Sequence, residues 1–232
     1  MRGEQLTAAS VDRRGLLGDR RYAVWDAEGK LGSCKNTRRF RRMDGLLDFS
    51  AAYPEDPTDP ATSPAFTAQL LAPDGARHPV PSAAADAAVR AHLGRSDVRI
   101  MPEADVPHHD AAPLHLLSTA TLSWFQQELE PAATDERRLR PNLVVDLPGL
   151  PAFAEDGWAG RLVRFGTGPD AVQARWVERT ERCRTPNVAQ GDLPATSRGL
   201  KVLAGRDLEL GVYLEVLVAG RVRVGDPVIL VS

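Results

Sequence analysis

The sequence predicts an α+β chain, mainly β with a few helices, and three observations carry that reading. Short apolar runs alternate with turn residues through most of its 232 residues. Only two stretches show helical spacing. The second half adds a series of strand candidates separated by glycine-rich turns. With 43% hydrophobic residues, the chain can bury a real core without covalent staples.

In chain order, residues 21–25 read as a strand and 26–30 as the turn after it. The stretch 53–64 holds four prolines, which deny hydrogen bonds to a ladder and to a helix interior alike, so a surface loop is expected. Residues 66–71 read as a strand. Residues 82–93 read as a helix, with Ser82 as its cap and Gly94 as its left-handed stop. A polar stretch at 102–109 divides the halves, giving modules 1–104 and 105–232. Residues 116–125 open a second helix capped by Ser118, with Leu122, Phe125 and Leu129 at helical spacing and Pro131 beyond its end. The strand candidates 142–146, 161–165, 171–178 and 212–218 predict a β-barrel in the second half. The last segment reads as two alternating strands around Gly225-Asp226-Pro227.

A net charge of −2 gives no long-range pull toward nucleic acid or an anionic membrane. Two cysteines form no disulfide framework, and the first residues lack an apolar signal core. No run approaches the ~20 apolar residues of a membrane span. These features predict a cytoplasmic protein that works on neither nucleic acid nor membrane.

The common short signatures for dinucleotide, phosphate-loop, serine-hydrolase and zinc-protease chemistry are absent from the sequence. His108 and His109 have no partner at zinc-ligand spacing and read as loop histidines. Glu155-Asp156, beside a glycine and a tryptophan, reads as a solvated turn. Three features remain. Cys183 stands among Arg179, Arg182 and Arg184, and nearby cations favour the thiolate that attacks electrophiles and binds soft metals; an inert, buried cysteine reads equally well. The helix start at Ser118 and Thr119 offers unpaired N–H groups to an anion, although a plain cap is the commoner use. Arg140 can clamp a phosphate or pair with a surface carboxylate. Thiolate, arginine and helix terminus together suit an anionic, metal-bearing cofactor.

These residues occur in a familiar order. Gly18-Asp19-Arg20, Leu117-Ser118-Thr119-Ala120-Thr121-Leu122, Arg140-Pro141-Asn142, Phe153-Ala154-Glu155-Asp156-Gly157-Trp158, Arg182-Cys183, Gly211-Val212-Tyr213 and Val224-Gly225-Asp226-Pro227-Val228 resemble the motifs of the MOSC family, named for the C-terminal domain of molybdenum cofactor sulfurase. The resemblance implies an N-terminal β-barrel-like module (1–104) packed on a MOSC β-barrel (105–232). By similarity to the mitochondrial amidoxime-reducing component, it implies a molybdenum-pterin (molybdopterin) cofactor, independent of pyridoxal phosphate, with Cys183 as metal ligand and catalytic centre. Arg20, Ser118, Thr119, Arg140, Glu181, Arg182 and Tyr213 fall at positions that contact the pterin or its phosphate, or lie near that pocket. Relatives carry a Lys-Ser pair just before the segment that here is Arg2-Gly3-Glu4. The sequence begins at Met1, which implies either an upstream start or a missing strand with two missing contacts.

The function so implied is reduction of small N-hydroxylated or N-oxygenated compounds, with electrons from a separate flavin, haem or iron-sulfur protein. Two rival expectations stand beside it: a sulfur carrier or transferase using a Cys183 persulfide, and a non-catalytic cofactor-binding protein.

Overall fold

Among the described residues, hydrogen-bonded pairing sorts the strands into four sheets, and the chain forms two compact units. The computed structural model describes residues 1–53 and 67–231; the expected proline-rich loop, from residue 54 to 64, lies outside the described residues. One unit comprises Met1–Gln5, Arg20–His108 and Val188–Ala195, the other Leu6–Asp19, His109–Asn187 and Thr196–Ser232. Neither is one continuous stretch, unlike the modules 1–104 and 105–232 read from the sequence. Residues 6–19 join the later unit because Ala8–Asp12 pairs antiparallel with both Gly220–Arg223 and Gly15–Leu16.

In the earlier unit a four-stranded sheet runs in the order Phe40–Arg42, Leu31–Ser33, Tyr22–Trp25, Arg99–Pro102. The expected turn at 26–30 is built by Asp26, whose Oδ1 accepts the amides of Glu28 (3.0 Å) and Lys30 (2.9 Å) and so stands in for backbone acceptors. A three-stranded sheet follows, Ser50–Ala52, Ala68–Leu71 and Arg77–Val80, then the helix Ala83–Leu93. That helix starts and stops as its sequence dictates. Ser82 Oγ accepts the Ala85 amide at 3.1 Å, and Gly94 takes φ 62°. Ala85 and Val89 then bury against Val24, Phe49, Leu70 and Ile100, each large apolar side chain contributing about 1.5–3 kcal/mol. His108 turns out to be a buried brace in its loop. Its Nδ1–H donates to the Arg20 carbonyl at 2.8 Å, which leaves Nε2 to accept the Trp25 indole N–H at 3.3 Å.

The later unit holds a six-stranded sheet curled into a half-barrel, in the order Leu143–Val145, Leu114–Ser118, Glu209–Val218, Val172–Glu181, Leu162–Phe165, Val228–Val231. Leu114–Ser118 is buried at every position because apolar groups cover both faces. Leu114 and Leu116 join Val163, Phe165, Val212 and Leu214, whereas Leu117 joins Phe125, Leu139, Leu203 and Leu210. Leu116 and Leu117 are therefore strand residues, not the opening of the second helix. That helix spans Thr119–Gln127 and begins at the expected cap, with Ser118 Oγ accepting the Thr121 amide at 3.1 Å. The two strands around Gly225-Asp226-Pro227 are present but do not pair with each other. Gly220–Arg223 pairs with Ala8–Asp12, and Val228–Val231 pairs with Leu162–Phe165.

Candidate functional site

Cys183 lies just past the end of the long strand Val172–Glu181, on a loop that tightens into a single 3-10 turn, Thr185–Asn187. The register against Glu209–Val218 slips between Arg179 and Glu181, and burial then alternates: Thr180 inside, Glu181 outside, Arg182 inside. Such irregularities re-aim side chains at strand ends. Cys183 follows, half-buried, with its Sγ 3.0 Å from the Thr185 hydroxyl. Arg182 is buried, whereas Arg184 is half-buried like the thiol.

Two buried arginines staple this loop to the segment that precedes Arg140. Arg182, 9% exposed, donates through Nη2 to the Leu139 carbonyl at 2.6 Å. Arg138, fully buried, donates through Nη1 to the Pro186 carbonyl at 3.2 Å and through Nε to the Ala133 carbonyl. Burial lowers the Arg138 guanidinium below its ordinary pKa. The staples run in opposite directions and straddle Cys183, so the thiol is carried on a braced loop. Arg138 escaped the sequence reading, since an arginine beside two others looks like a solvated charge until burial is known.

His115 completes the brace, and nothing in the sequence marked it. Its Nε2 lies 3.5 Å from Arg182 Nη1 and 3.3 Å from the Leu210 carbonyl, while its ring packs 5.8 Å from that of Tyr213, its partner across the ladder. Gly211 makes room for the ring: at φ 78°, a Cβ there would stand 2.4 Å from His115 Nε2 and 2.8 Å from the Leu116 carbonyl. The Gly-Val-Tyr motif thus encodes a close approach. Asn142 ties the next strand to this point, its Oδ1 accepting the His115 amide at 3.0 Å and its Nδ2 donating to Asp19 at 3.0 Å.

At the helix start, Ser118 is fully buried and its hydroxyl serves the Thr121 amide and hydroxyl. Its amide donates to Glu155 Oε1 at 3.0 Å. Glu155 is itself fully buried, so the solvated turn expected at Glu155-Asp156 is overturned: the carboxylate occupies the positive end of the helix. Its second oxygen, Oε2, has no hydrogen-bond partner among the described residues. Asp156 pairs with Arg206 at 2.6 Å, and Arg206 stacks 3.4 Å over the Phe153 ring. Desolvation raises the Asp156 carboxyl above its usual range against the pull of Arg206, with Glu155 adding to the rise. Thr119, next along, is exposed and donates to Asp146 at 3.0 Å.

Of the residues singled out in the sequence, Arg182, Cys183 and Tyr213 are joined through His115 and the loop staples, with Arg140 directly following the stapled Leu139. Arg140 is half-buried and holds a left-handed backbone, φ 53°. Ser118 ends the strand that carries His115 and caps the helix that Thr119 opens. Glu181 is exposed beside Arg182. Arg20, φ 51°, belongs to the other compact unit, where its carbonyl anchors His108. Among the described residues, no three His, Cys, Asp or Glu side chains converge to hold a metal, and no helix is long and apolar enough to cross a membrane.

No curated protein matches the chain. A solved structure described only as "Crystal structure of an hypothetical protein" is similar at 18% identity and a TM-score of 0.40, over 53% of this chain. This chain spans about half of that one, 55%. The family model described as "MOSC domain" matches residues 103–229, the stretch that carries Leu114–Ser118, the Arg138 and Arg182 staples and Cys183. That match covers more than half of the sequence, and the chain belongs to the MOSC domain family.

Proposed function

We propose that this protein is a molybdenum cofactor-dependent oxidoreductase that reduces small N-hydroxylated or N-oxygenated compounds, with Cys183 as the metal ligand. The observation that carries the reading is the half-buried thiol held on a loop stapled by Arg138 and Arg182. A fixed soft donor suits a metal ligand, whereas a persulfide carrier must present its sulfur to an acceptor. The donor set fits the group: a thiol for the metal, and the half-buried Arg140 guanidinium for a phosphate.

The residues divide the work. Cys183 would bind the metal as thiolate and so release its proton on loading. Arg182 and Arg138 brace the loop that carries that sulfur, and His115, packed on Tyr213, backs Arg182. Arg140 would bind the pterin phosphate, Thr119 would meet it at the helix start, and Glu181 would contact pterin donors. Ser118, spent on its cap, shapes the helix start that presents Thr119. The bound cofactor would supply two-electron chemistry at the metal. Reduction of an N-hydroxylated substrate to amine and water takes two electrons and two protons. The electrons would come from a separate flavin, haem or iron-sulfur protein. The unit containing Arg20–His108 is assigned on this reading as the N-terminal module of the family.

Molybdenum and pterin analysis of the protein purified from a cofactor-producing host tests this function. Near-stoichiometric metal that disappears in Cys183→Ala, together with reduction of an N-hydroxylated amidine by the loaded protein and an artificial electron donor, is the expected result. Metal-free protein carrying a ~32 Da adduct on Cys183 that a thiol reductant removes would instead favour the sulfur-transfer reading.

A further inference from the structure

We infer that Thr185 is a positioning residue for Cys183, holding its sulfur through a direct side-chain hydrogen bond. Oγ1 lies 3.0 Å from Sγ, and Thr185 is 7% exposed, so the contact is sheltered from competing water. Thr185 opens the 3-10 turn Thr185–Asn187, whose next residue accepts from Arg138. On the turn's other side, Asn187 Oδ1 accepts the Leu200 amide at 2.9 Å, and the Cα of Gly199 approaches so closely that a Cβ would stand 2.6 Å from Asn187 Oδ1 and 2.9 Å from the Pro186 carbonyl. The hydroxyl is therefore mounted on a turn clamped from two directions.

Two consequences follow. With the sulfur protonated, the S–H is assigned as the donor to the Thr185 oxygen, which keeps Cys183 in one side-chain rotamer. With the sulfur anionic, only the hydroxyl has a hydrogen to give, so it takes up charge density from sulfur and makes the thiolate a weaker nucleophile and a less electron-rich ligand. Hydrogen bonds to sulfur are among the devices by which proteins tune sulfur-ligated metals. The ligand role of Cys183 belongs to the function proposed above; the hydrogen bond does not depend on it.

The test uses the cofactor-free full chain, with Cys34→Ser so that Cys183 is its remaining thiol. The infrared S–H stretch of this protein, assigned by its loss in Cys183→Ala, is expected at a hydrogen-bonded position rather than that of a free thiol. Thr185→Val, nearly equal in shape, should move the band toward the free position, and Thr185→Ser should restore it. Iodoacetamide alkylation, measured on the plateau where the rate no longer rises with pH, should run roughly fivefold faster in Thr185→Val, the factor for a typical hydrogen bond. In Thr185→Ser it should match the parent. A free-thiol band in the parent overturns the inference without any Thr185 variant. So does equal alkylation in parent and Thr185→Val, or equal disturbance in the Val and Ser variants, which would mark a packing role. Metal content of loaded Cys183→Ala, read separately, reports on Cys183 as ligand: its loss together with an unmoved S–H band in Thr185→Val would sink this inference and leave the proposed function standing.

Discussion

Replacing Gly211 by alanine probes the brace beneath Cys183 at its tightest point. At φ 78°, an L-residue meets left-handed strain of roughly 1–2 kcal/mol. The new methyl would also stand 2.4 Å from His115 Nε2 and 2.8 Å from the Leu116 carbonyl, overpacking of the kind that costs about 1–3 kcal/mol. Gly211→Ala should therefore lose about 2–5 kcal/mol in urea unfolding. Gly205→Ala is the control, because a Cβ there has nothing within 4 Å and the backbone needs no positive φ. Pairing Gly211→Ala with His115→Ala removes the ring that clashes, so the double variant should be more stable than the sum of the singles by about 1 kcal/mol or more. A Gly211→Ala protein within about 0.5 kcal/mol of the control would refute the close approach, and an additive double variant would refute the part assigned to His115.

Other perturbations bear on separate features. Glu155→Ala leaves the buried Ser118 amide without its acceptor and should cost about 1–3 kcal/mol, read by thermal or urea unfolding. Arg182→Lys cannot reach both the Leu139 carbonyl and His115, and should raise hydrogen exchange at the Asn187 amide, bonded to the Arg184 carbonyl at 2.9 Å, by roughly tenfold. Burial tends to raise the Asp26 carboxyl, but the amides of Lys30 and Glu28 and the Arg41 guanidinium outweigh it and hold the group below its usual value. A depressed carboxylate contributes stability above its unfolded pKa and loses it as pH falls through the folded one, so unfolding midpoints should drop on acidification below about pH 4, with a shallower drop in Asp26→Asn.

The elements legible in the sequence are those whose signals are local. Ser82 and Gly94 bracket a helix because a cap and a left-handed stop act over three or four residues, and Asp26 makes its turn from its own carboxylate. Ser118 was equally legible as a cap. The strand before it was not, because Leu-His-Leu-Leu-Ser carries no alternation when both faces are buried. The two strands around Gly225-Asp226-Pro227 were found, but their partners lie in different sheets, and pairing across nearly the whole chain leaves no trace in adjacent residues. At the candidate site the motif residues could be named in advance, whereas their bracing could not. Arg138 reads as a surface charge, His115 as one more residue in an apolar run, and Glu155 as half of an acidic turn. Each acquires its part from burial and from acceptors far away in sequence.

The pairing of Ala8–Asp12 with Gly220–Arg223 also has a consequence for biosynthesis. On the ribosome the earlier unit, most of which is the continuous run Arg20–His108, can condense while the rest is still being made. Ala9 and Val11 cannot: beyond the short pairing of Val11 with Leu16, their strand waits for Gly220–Arg223 until nearly all of the chain has emerged. The contact order of the later unit is correspondingly high, so the last strands to be translated complete the core that Ala9 and Val11 share with Leu114 and Phe165. Until then the nascent chain displays an open strand edge to which a chaperone can bind.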